Sequence, residues 1–224
     1  MSCTEEKNSI PHVVLLARYI IYTAAVFLLF LSIPHWRNNN SIAFFKENGC
    51  FEWLQFAMLC ASAAVLLAGR RICPDSRHIL SLLAAIAAFA AGRELDKILD
   101  ALLPVLGWKV VFLFLVAAAV YCWNARQDCI KQILHFAGSY AFTMMWAAFI
   151  IAVPLAQLVG DGTFLYTFLQ DDYNRLYKRI FEEACEGAGY LLLFFASLES
   201  VLFLKQHPPK ANAADSSVDS AAQD

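Results

Sequence analysis

The sequence predicts an all-α integral membrane protein: a bundle of about six transmembrane helices plus one interfacial amphipathic helix and a disordered C-terminal tail. Of the 224 residues, 60% are apolar and 16% are charged, whereas an average soluble domain is about 45–50% apolar and about 25% charged. The mean hydropathy is +0.54 in a chain of 25.0 kDa, and a globule of this size cannot bury such a surplus. Apolar runs of the length that spans a bilayer, roughly 20 residues, recur along the chain.

The first three predicted spans lie in the N-terminal half. Residues 13–33 contain one charge, Arg18, and no small-residue cleavage site follows them as in a signal peptide, so we expect an uncleaved span. Residues 53–69 are uncharged. Residues 79–99 are uncharged only as far as Gly92, which is about 21 Å of helix at 1.5 Å per residue. Because the membrane core is about 30 Å thick, this span must continue into the charged residues that follow.

The other three predicted spans lie in the C-terminal half. Residues 105–123 carry a single charge. Residues 133–160 are longer than a span requires, which predicts a tilt or a kink near Pro154. Residues 187–204 form the last span. Apolar residues at helical spacing over 164–186 predict an interfacial amphipathic helix that leads directly into that span.

Six spans place both termini on one side of the membrane. That side carries nine Lys and Arg residues and the other side eight, so the positive-inside rule alone gives nearly a tie. Acidic residues are interleaved with the second group, which favours cytoplasmic termini in a bacterial inner membrane. Residues 206–224 are rich in Pro, Ala, Ser and Asp and predict a disordered tail. Glu199, two turns from the end of the last span, is expected to snorkel to the surface.

The charged segments beside the spans fall on one membrane face, opposite the termini. Arg93, Asp96 and Lys97 are three or four residues apart and would share one stripe of a continuous helix. Ionisable groups in the membrane cost about 2.5–3.5 kcal/mol each by insertion scales, and they usually pair and mark a working site. The alternative is a solvated rim that only stabilises helix ends. The predicted cluster of ligand-binding candidates comprises Glu47, Glu52, Arg93, Glu94, Asp96, Lys97, Arg179, Glu182 and Glu186.

Other kinds of site lack their sequence signatures. The chain has 17 Lys and Arg residues against 19 Asp and Glu and shows no basic face, which excludes nucleic-acid binding of the usual kind. The five His residues have no metal-ligand spacing and the seven Cys residues form no CxxC motif, so no metal site is predicted. No catalytic residue or cofactor is assigned. Cys50 and Cys185 fall on the same predicted face, where a disulfide between them is a further hypothesis.

Two short motifs carry a resemblance to known membrane proteins. The pattern Glu-Asn-Gly-x-Phe-Glu-Trp at 47–53 and the pattern Gly-Arg-Glu-Leu-Asp at 92–96 resemble uncharacterised bacterial multi-pass inner-membrane proteins over residues 45–110. This resemblance implies a location but no activity.

A more distant similarity is to the alkaline ceramidase-like membrane hydrolases. Glu52, Ser62 and Asp96 stand where that family has its early polar residues. The family's late pair of His residues, which implies a zinc hydrolase, is missing, and three acidic residues stand roughly in its place: Glu182, Glu183 and Glu186.

Three functions of different classes follow from the sequence. The leading hypothesis is a binding or transport role, in which the charged cluster at the outer face holds an ion or small polar solute. The alternatives are a membrane-embedded lipid hydrolase of ceramidase-like type and a partner subunit or assembly factor of a membrane complex. The expected partners are therefore the lipid bilayer, an ion or small polar solute, and a membrane protein. No inverted repeat is visible in the sequence, which argues against a standard secondary transporter.

Overall fold

The computed structural model describes residues 12–37, 49–170 and 173–209. Every regular element in these ranges is helical. The α-helices, numbered in chain order, are α1 (His12–Arg37), α2 (Cys50–Ile72), α3 (Arg77–Glu94), α4 (Asp96–Leu102), α5 (Phe112–Asn124), α6 (Arg126–Ala137), α7 (Tyr140–Ile150), α8 (Ala156–Gly160), α9 (Gly162–Leu169) and α10 (Arg175–Gln206). Short 3₁₀ helices precede α3 and α5, at Pro74–Ser76 and Gly107–Val111, and a π-helical turn at Ile151–Leu155 joins α7 to α8.

Within the described residues, five helices are long and apolar enough to cross a membrane. They are Val13–Ser32, Cys50–Ile72, Gly107–Asn124, Tyr140–Gly160 and Arg175–Gln206. A sixth candidate is the pair Pro74–Glu94 and Asp96–Leu102, which passes the same test as one span but is bent by 75°. The predicted class, an all-α membrane bundle with about six spans, is confirmed.

Helix α10 forms the centre of the bundle. It packs against α2, α7 and α8, and α2 in turn packs against α3. Small residues permit this close approach: a Cβ atom on Gly189 would lie 2.5 Å from the Ala152 Cβ and 2.7 Å from the Ala152 backbone nitrogen. Close backbone contact through Gly and Ala is the usual way in which membrane helices gain van der Waals attraction, because lipid offers no hydrophobic driving force between helices.

Three predicted elements have different boundaries in the structure. The span over 79–99 is not one helix, because the chain turns at Leu95 between α3 and α4. The span over 133–160 begins instead at Tyr140, where the Ser139 side chain accepts a hydrogen bond from the Phe142 backbone nitrogen and caps α7. Residues 133–137 belong to the separate helix α6.

The predicted amphipathic helix over 164–186 is also divided. Helix α9 ends at Leu169, and Gln170 follows with a φ of 44°. A new helix then starts after Asn174, whose side chain caps it by accepting a hydrogen bond from the Leu176 backbone nitrogen at 2.9 Å. From there α10 continues without a break into the last span, as expected. Most of the tail predicted over 206–224 lies outside the described residues.

The expectation that Glu199 snorkels to the surface is wrong. Its side chain is fully buried, and Arg18 Nε lies 3.3 Å from Glu199 Oε1. The Tyr22 hydroxyl donates a hydrogen bond of 2.8 Å to the same oxygen, and the Tyr22 ring stacks on Phe195 with 4.3 Å between centroids. No residue in the most apolar stretch of α1 is buried. Helix α1 is therefore a peripheral helix, and these contacts join it to α10.

Cys50 and Cys185 are both free thiols, and the disulfide between them is not formed.

We expect Gly189→Ala to destabilise the protein, because the added methyl group meets the backbone of Ala152 rather than a movable side chain. Overpacking of this kind costs about 1–3 kcal/mol. The matched control is Gly138→Ala, whose Cβ would have its nearest neighbour at 3.8 Å. Thermal unfolding of both variants in detergent tests the expectation, and equal unfolding midpoints would contradict it.

Removing Arg18 alone should destabilise the protein more than removing both Arg18 and Glu199. The single change Arg18→Leu leaves a fully buried carboxylate without its counter-charge, which typically costs about 3–5 kcal/mol. The pair of changes Arg18→Leu and Glu199→Leu replaces both charges with apolar groups. The test is a double-mutant cycle, in which the thermal unfolding midpoints of the wild type, both single variants and the double variant are measured. Additive effects would show that the two side chains do not stabilise each other.

Candidate functional site

A cavity of about 170 Å³ lies where the ends of α2, α3 and α10 meet the start of α4. Helix α3 runs antiparallel to α2, so the start of α2 and the end of α3 come together. The N-terminal part of α10 completes the wall. All the side chains that line the cavity are ionisable: Glu52, Arg93, Glu94, Asp96, Lys97, Arg179, Glu183 and Glu186. We call this group the charged cavity.

The structure brings seven of the nine predicted candidates to the charged cavity. Glu47 lies outside the described residues. Glu182 does not line the cavity; its carboxyl group packs against α8, because a Cβ atom on Gly160 would lie 2.5 Å from Glu182 Cδ. Glu183 takes its place in the wall. The convergence of the three segments is therefore observed, whereas the binding of a ligand there stays a prediction.

The turn at Leu95 sets the shape of the cavity mouth. Arg93 and Glu94 are the last residues of α3, and Asp96 and Lys97 begin α4 after a bend of 75°. Asp96 Oδ1 accepts a hydrogen bond of 2.6 Å from the Lys97 backbone nitrogen at the start of α4. The predicted single stripe of charges is therefore divided between two helices, and both parts still face the cavity.

Asp100, the next charge along the predicted stripe, has a structural role instead. Its Oδ1 accepts a hydrogen bond of 2.9 Å from the Trp108 backbone nitrogen. Gly107, which precedes Trp108, has a φ of 55°, a conformation that L side chains rarely adopt. This contact closes the loop between α4 and the following 3₁₀ helix, so α4 is supported at its far end.

Glu94 and Tyr190 form a polar contact on the inner wall of the cavity. The Tyr190 hydroxyl donates a hydrogen bond of 2.8 Å to Glu94 Oε1, and the Tyr190 side chain is buried on the inner side of α10. This contact joins the end of α3 to the central helix α10. Hydrogen bonds to charged groups contribute about 1.5–3 kcal/mol to stability. Glu94 is thereby held at the wall in a defined position.

Gln55 and Glu183 form the second inner contact, between α2 and α10. Gln55 is fully buried, and its Nε2 donates a hydrogen bond of 3.2 Å to the Glu183 backbone oxygen. Gln55 Oε1 and Glu183 Oε2 are both buried and have no hydrogen-bond partner among the described residues. Buried polar atoms normally have a partner, so these two acceptors leave room for a donor that the described side chains do not supply.

Charge is distributed unevenly in the cavity. Its wall holds five carboxyl groups and three basic groups, which gives a formal excess of negative charge. Arg93 and Lys97 are exposed at the mouth, whereas Glu94, Glu183 and Glu186 are half-buried. Close carboxylates in a partly desolvated site repel one another, so the arrangement favours a positively charged group near the inner wall.

Sequence reasoning missed three residues of the site, namely Gln55, Glu183 and Tyr190. Signals for them were present: Gln55 is one turn after Glu52 on α2, and Glu183, Glu186 and Tyr190 follow one another at spacings of three and four on α10. Gly187, on the same face, is in close contact with Phe51 of α2. The small residue marks the inward face of α10, and that face contains Glu183 rather than Glu182.

Of the three residues that support the ceramidase-like resemblance, two come together in the structure. Glu52 and Asp96 line the cavity, but Ser62 lies almost three turns further along α2, fully buried, where its hydroxyl donates to the Met58 backbone oxygen at 2.8 Å. Within the described ranges no group of three or more His, Cys, Asp or Glu side chains has the geometry to hold a metal ion. The residues present therefore do not fit the zinc site of such a hydrolase.

Comparison of the chain with protein-family models, with curated proteins and with solved structures gives no significant match.

We expect Tyr190→Phe to lower the unfolding midpoint, because it leaves the partly buried Glu94 carboxyl without its donor. The expected cost is about 1–3 kcal/mol. The same substitution at Tyr166, which is exposed on α9, is the matched control and should have little effect. Combining Tyr190→Phe with Glu94→Gln should reduce the loss, since a neutral amide is cheaper to leave unpaired than a carboxylate. An equal effect of Tyr190→Phe in both backgrounds would show that the hydrogen bond contributes nothing.

Proposed function

We propose that this protein binds an ion or small polar solute in the charged cavity, in a binding or transport role. The observation that carries the proposal is the lining of the cavity by eight ionisable side chains at the ends of membrane-spanning helices. Ionisable groups at such positions are costly and usually belong to a working site. A purely structural cluster would pair its polar atoms internally, yet Gln55 Oε1 and Glu183 Oε2 have no donor in the part of the chain that the structure describes.

The size of the cavity supports a small ligand. A volume of about 170 Å³ corresponds to about six water molecules at the ~30 Å³ that each occupies in the liquid. This is enough for a hydrated ion or a small polar solute and too little for a lipid chain or a peptide. The apolar helices around the cavity place it in a protein whose solvent is lipid.

In this proposal the cavity opens on the outer face of a bacterial inner membrane, and both termini are cytoplasmic. Arg70 and Arg71 at the end of α2 and Arg77 at the start of α3 flank the short loop between these helices, and this loop lies on the terminal side of the bundle. Such a concentration of arginine in a short loop favours the cytoplasmic side. A ligand from outside the cell would then reach the cavity without crossing the membrane.

Thermal unfolding of the purified protein with candidate ligands tests the proposed function. The probes are Na⁺, K⁺, Mg²⁺ and Ca²⁺, and the small solutes ethanolamine and β-alanine. A ligand at 100 times its dissociation constant adds about 2.7 kcal/mol, which for a chain of this size is a shift of roughly 5–10 °C in the midpoint. We expect at least one probe to produce such a shift.

Two matched variants connect that shift to the cavity. Glu186→Gln removes a charge from the cavity wall, and Glu182→Gln removes the same charge from the same helix outside the wall. Each shift is measured from the variant's own ligand-free midpoint. The shift should be lost in Glu186→Gln and kept in Glu182→Gln. No shift with any probe, or an equal shift in both variants, would contradict binding at this site.

A further inference from the structure

The polar groups of the charged cavity are sorted by depth. At the mouth, Arg93 and Lys97 are exposed basic side chains. Further in, the half-buried groups of the wall are four carboxyls and one basic group: Glu52, Glu94, Glu183, Glu186 and Arg179. Asp96, the exposed acidic residue at the mouth, already accepts a hydrogen bond from the backbone of α4. The cavity is therefore positive at its mouth and negative at its inner end.

Two buried acceptors at the inner end have no donor among the described residues. Gln55 is fully buried, and its amide nitrogen donates to the Glu183 backbone oxygen, which leaves Gln55 Oε1 without a donor. Glu183 Oε2 is buried beside it and is likewise without a partner among the described residues. A buried acceptor without a donor destabilises the folded protein. A primary ammonium group carries three N–H donors and a positive charge. It can therefore donate to these acceptors and offset the charge of a wall in which carboxyl groups outnumber basic groups.

A directly coordinated metal ion fits this site less well. In the described part of the chain, the acidic, His and Cys side chains form no group with metal-ligand geometry, and the cavity volume of about 170 Å³ exceeds that of a dehydrated ion several-fold. A simple anion fits poorly too, because the carboxyl groups outnumber the basic groups by five to three. A ligand with opposite charges at its two ends matches both parts of the cavity.

We propose that the charged cavity recognises a zwitterion, whose primary ammonium group binds Glu183 and Glu186 and whose anionic group binds Arg93 at the mouth. This inference rests on the proposed function and specifies its ligand class. An amino group and an acidic group a few bonds apart occur both in small free amino acids and in the phosphoethanolamine headgroup of a phospholipid. The shared chemistry is the ammonium–anion pair, and the experiment separates the two sources.

The test measures binding to the full-length protein by calorimetry in detergent. Phosphoethanolamine and β-alanine are the zwitterionic probes, and ethanolamine and inorganic phosphate supply each charge alone. Phosphocholine is the sharpest control, because it keeps the charges of phosphoethanolamine but has no N–H donors. We expect at least one zwitterionic probe to bind tenfold or more tightly than ethanolamine or phosphate, and phosphoethanolamine to bind tenfold or more tightly than phosphocholine.

Two substitutions and a lipid arm complete the design. Glu183→Gln and Arg93→Gln should each weaken binding of the zwitterion by tenfold or more, because each removes the protein group that binds one end of the ligand. Glu182→Gln should not change the affinity.

In the lipid arm, thermal midpoints are compared in nanodiscs of phosphatidylglycerol with and without phosphatidylethanolamine. Binding of a free probe identifies a soluble ligand, and stabilisation by phosphatidylethanolamine that Glu183→Gln abolishes identifies the headgroup. Either result supports the zwitterion.

The outcomes that overturn this inference differ from those that overturn the proposed function. Equal affinities for phosphoethanolamine and phosphocholine, or binding of Na⁺, K⁺, Mg²⁺ or Ca²⁺ alone that depends on Glu186, would overturn the zwitterion and leave the proposed function standing. Zwitterion binding that Glu183→Gln and Arg93→Gln leave unchanged would also overturn it. If no ion, free solute or headgroup changes the midpoint through the cavity residues, both conclusions are wrong.

Discussion

The need to pair polar groups inside a membrane protein determines how the helices pack around α10. Three polar groups of α10 each contact a different helix. Glu199 contacts Arg18 of α1, and Tyr190 contacts Glu94 of α3. The backbone oxygen of Glu183 accepts a hydrogen bond from Gln55 of α2. Lipid cannot satisfy these groups, so each contact specifies a neighbour and a rotation of α10. The close approach at Gly187 and Gly189 then adds the van der Waals contact that polar pairing alone cannot provide.

Much of the fold could be predicted from the sequence, because hydropathy summed over a whole segment reports its solvent. The convergence of charged segments on one face follows from the alternation of spans across the membrane and needs no knowledge of packing. The choice between Glu182 and Glu183 could not be predicted in this way, since the two differ by about 100° of helix rotation. The contact of Gly187 with Phe51 shows that the face of α10 that contains Glu183 points inward.

The turn at Leu95 and the burial of Glu199 were missed for a different physical reason. A break between two helices that both satisfy helical spacing leaves no mark in the hydrophobic pattern. The supporting hydrogen bond, from the Trp108 backbone nitrogen to Asp100, joins residues that are eight positions apart in the sequence. A carboxylate near a helix end can also reach water alone, so snorkelling was the simpler interpretation of Glu199. Its real partner, Arg18, is distant in sequence and belongs to α1, whose most apolar stretch contains no buried residue.

The sequence distance between α1 and its partner on α10 has a consequence for biosynthesis. Tyr22 and Glu199 are separated by 177 residues, and a ribosome adds about 5–20 residues per second, so roughly 9–35 s pass between their translation. During that interval α1 is in the membrane with a guanidinium whose carboxylate partner has not yet been made. The newly made first helix must therefore hold Arg18 near the lipid headgroups or against the insertion machinery. Completion of the bundle is the step that moves this charge to its buried position.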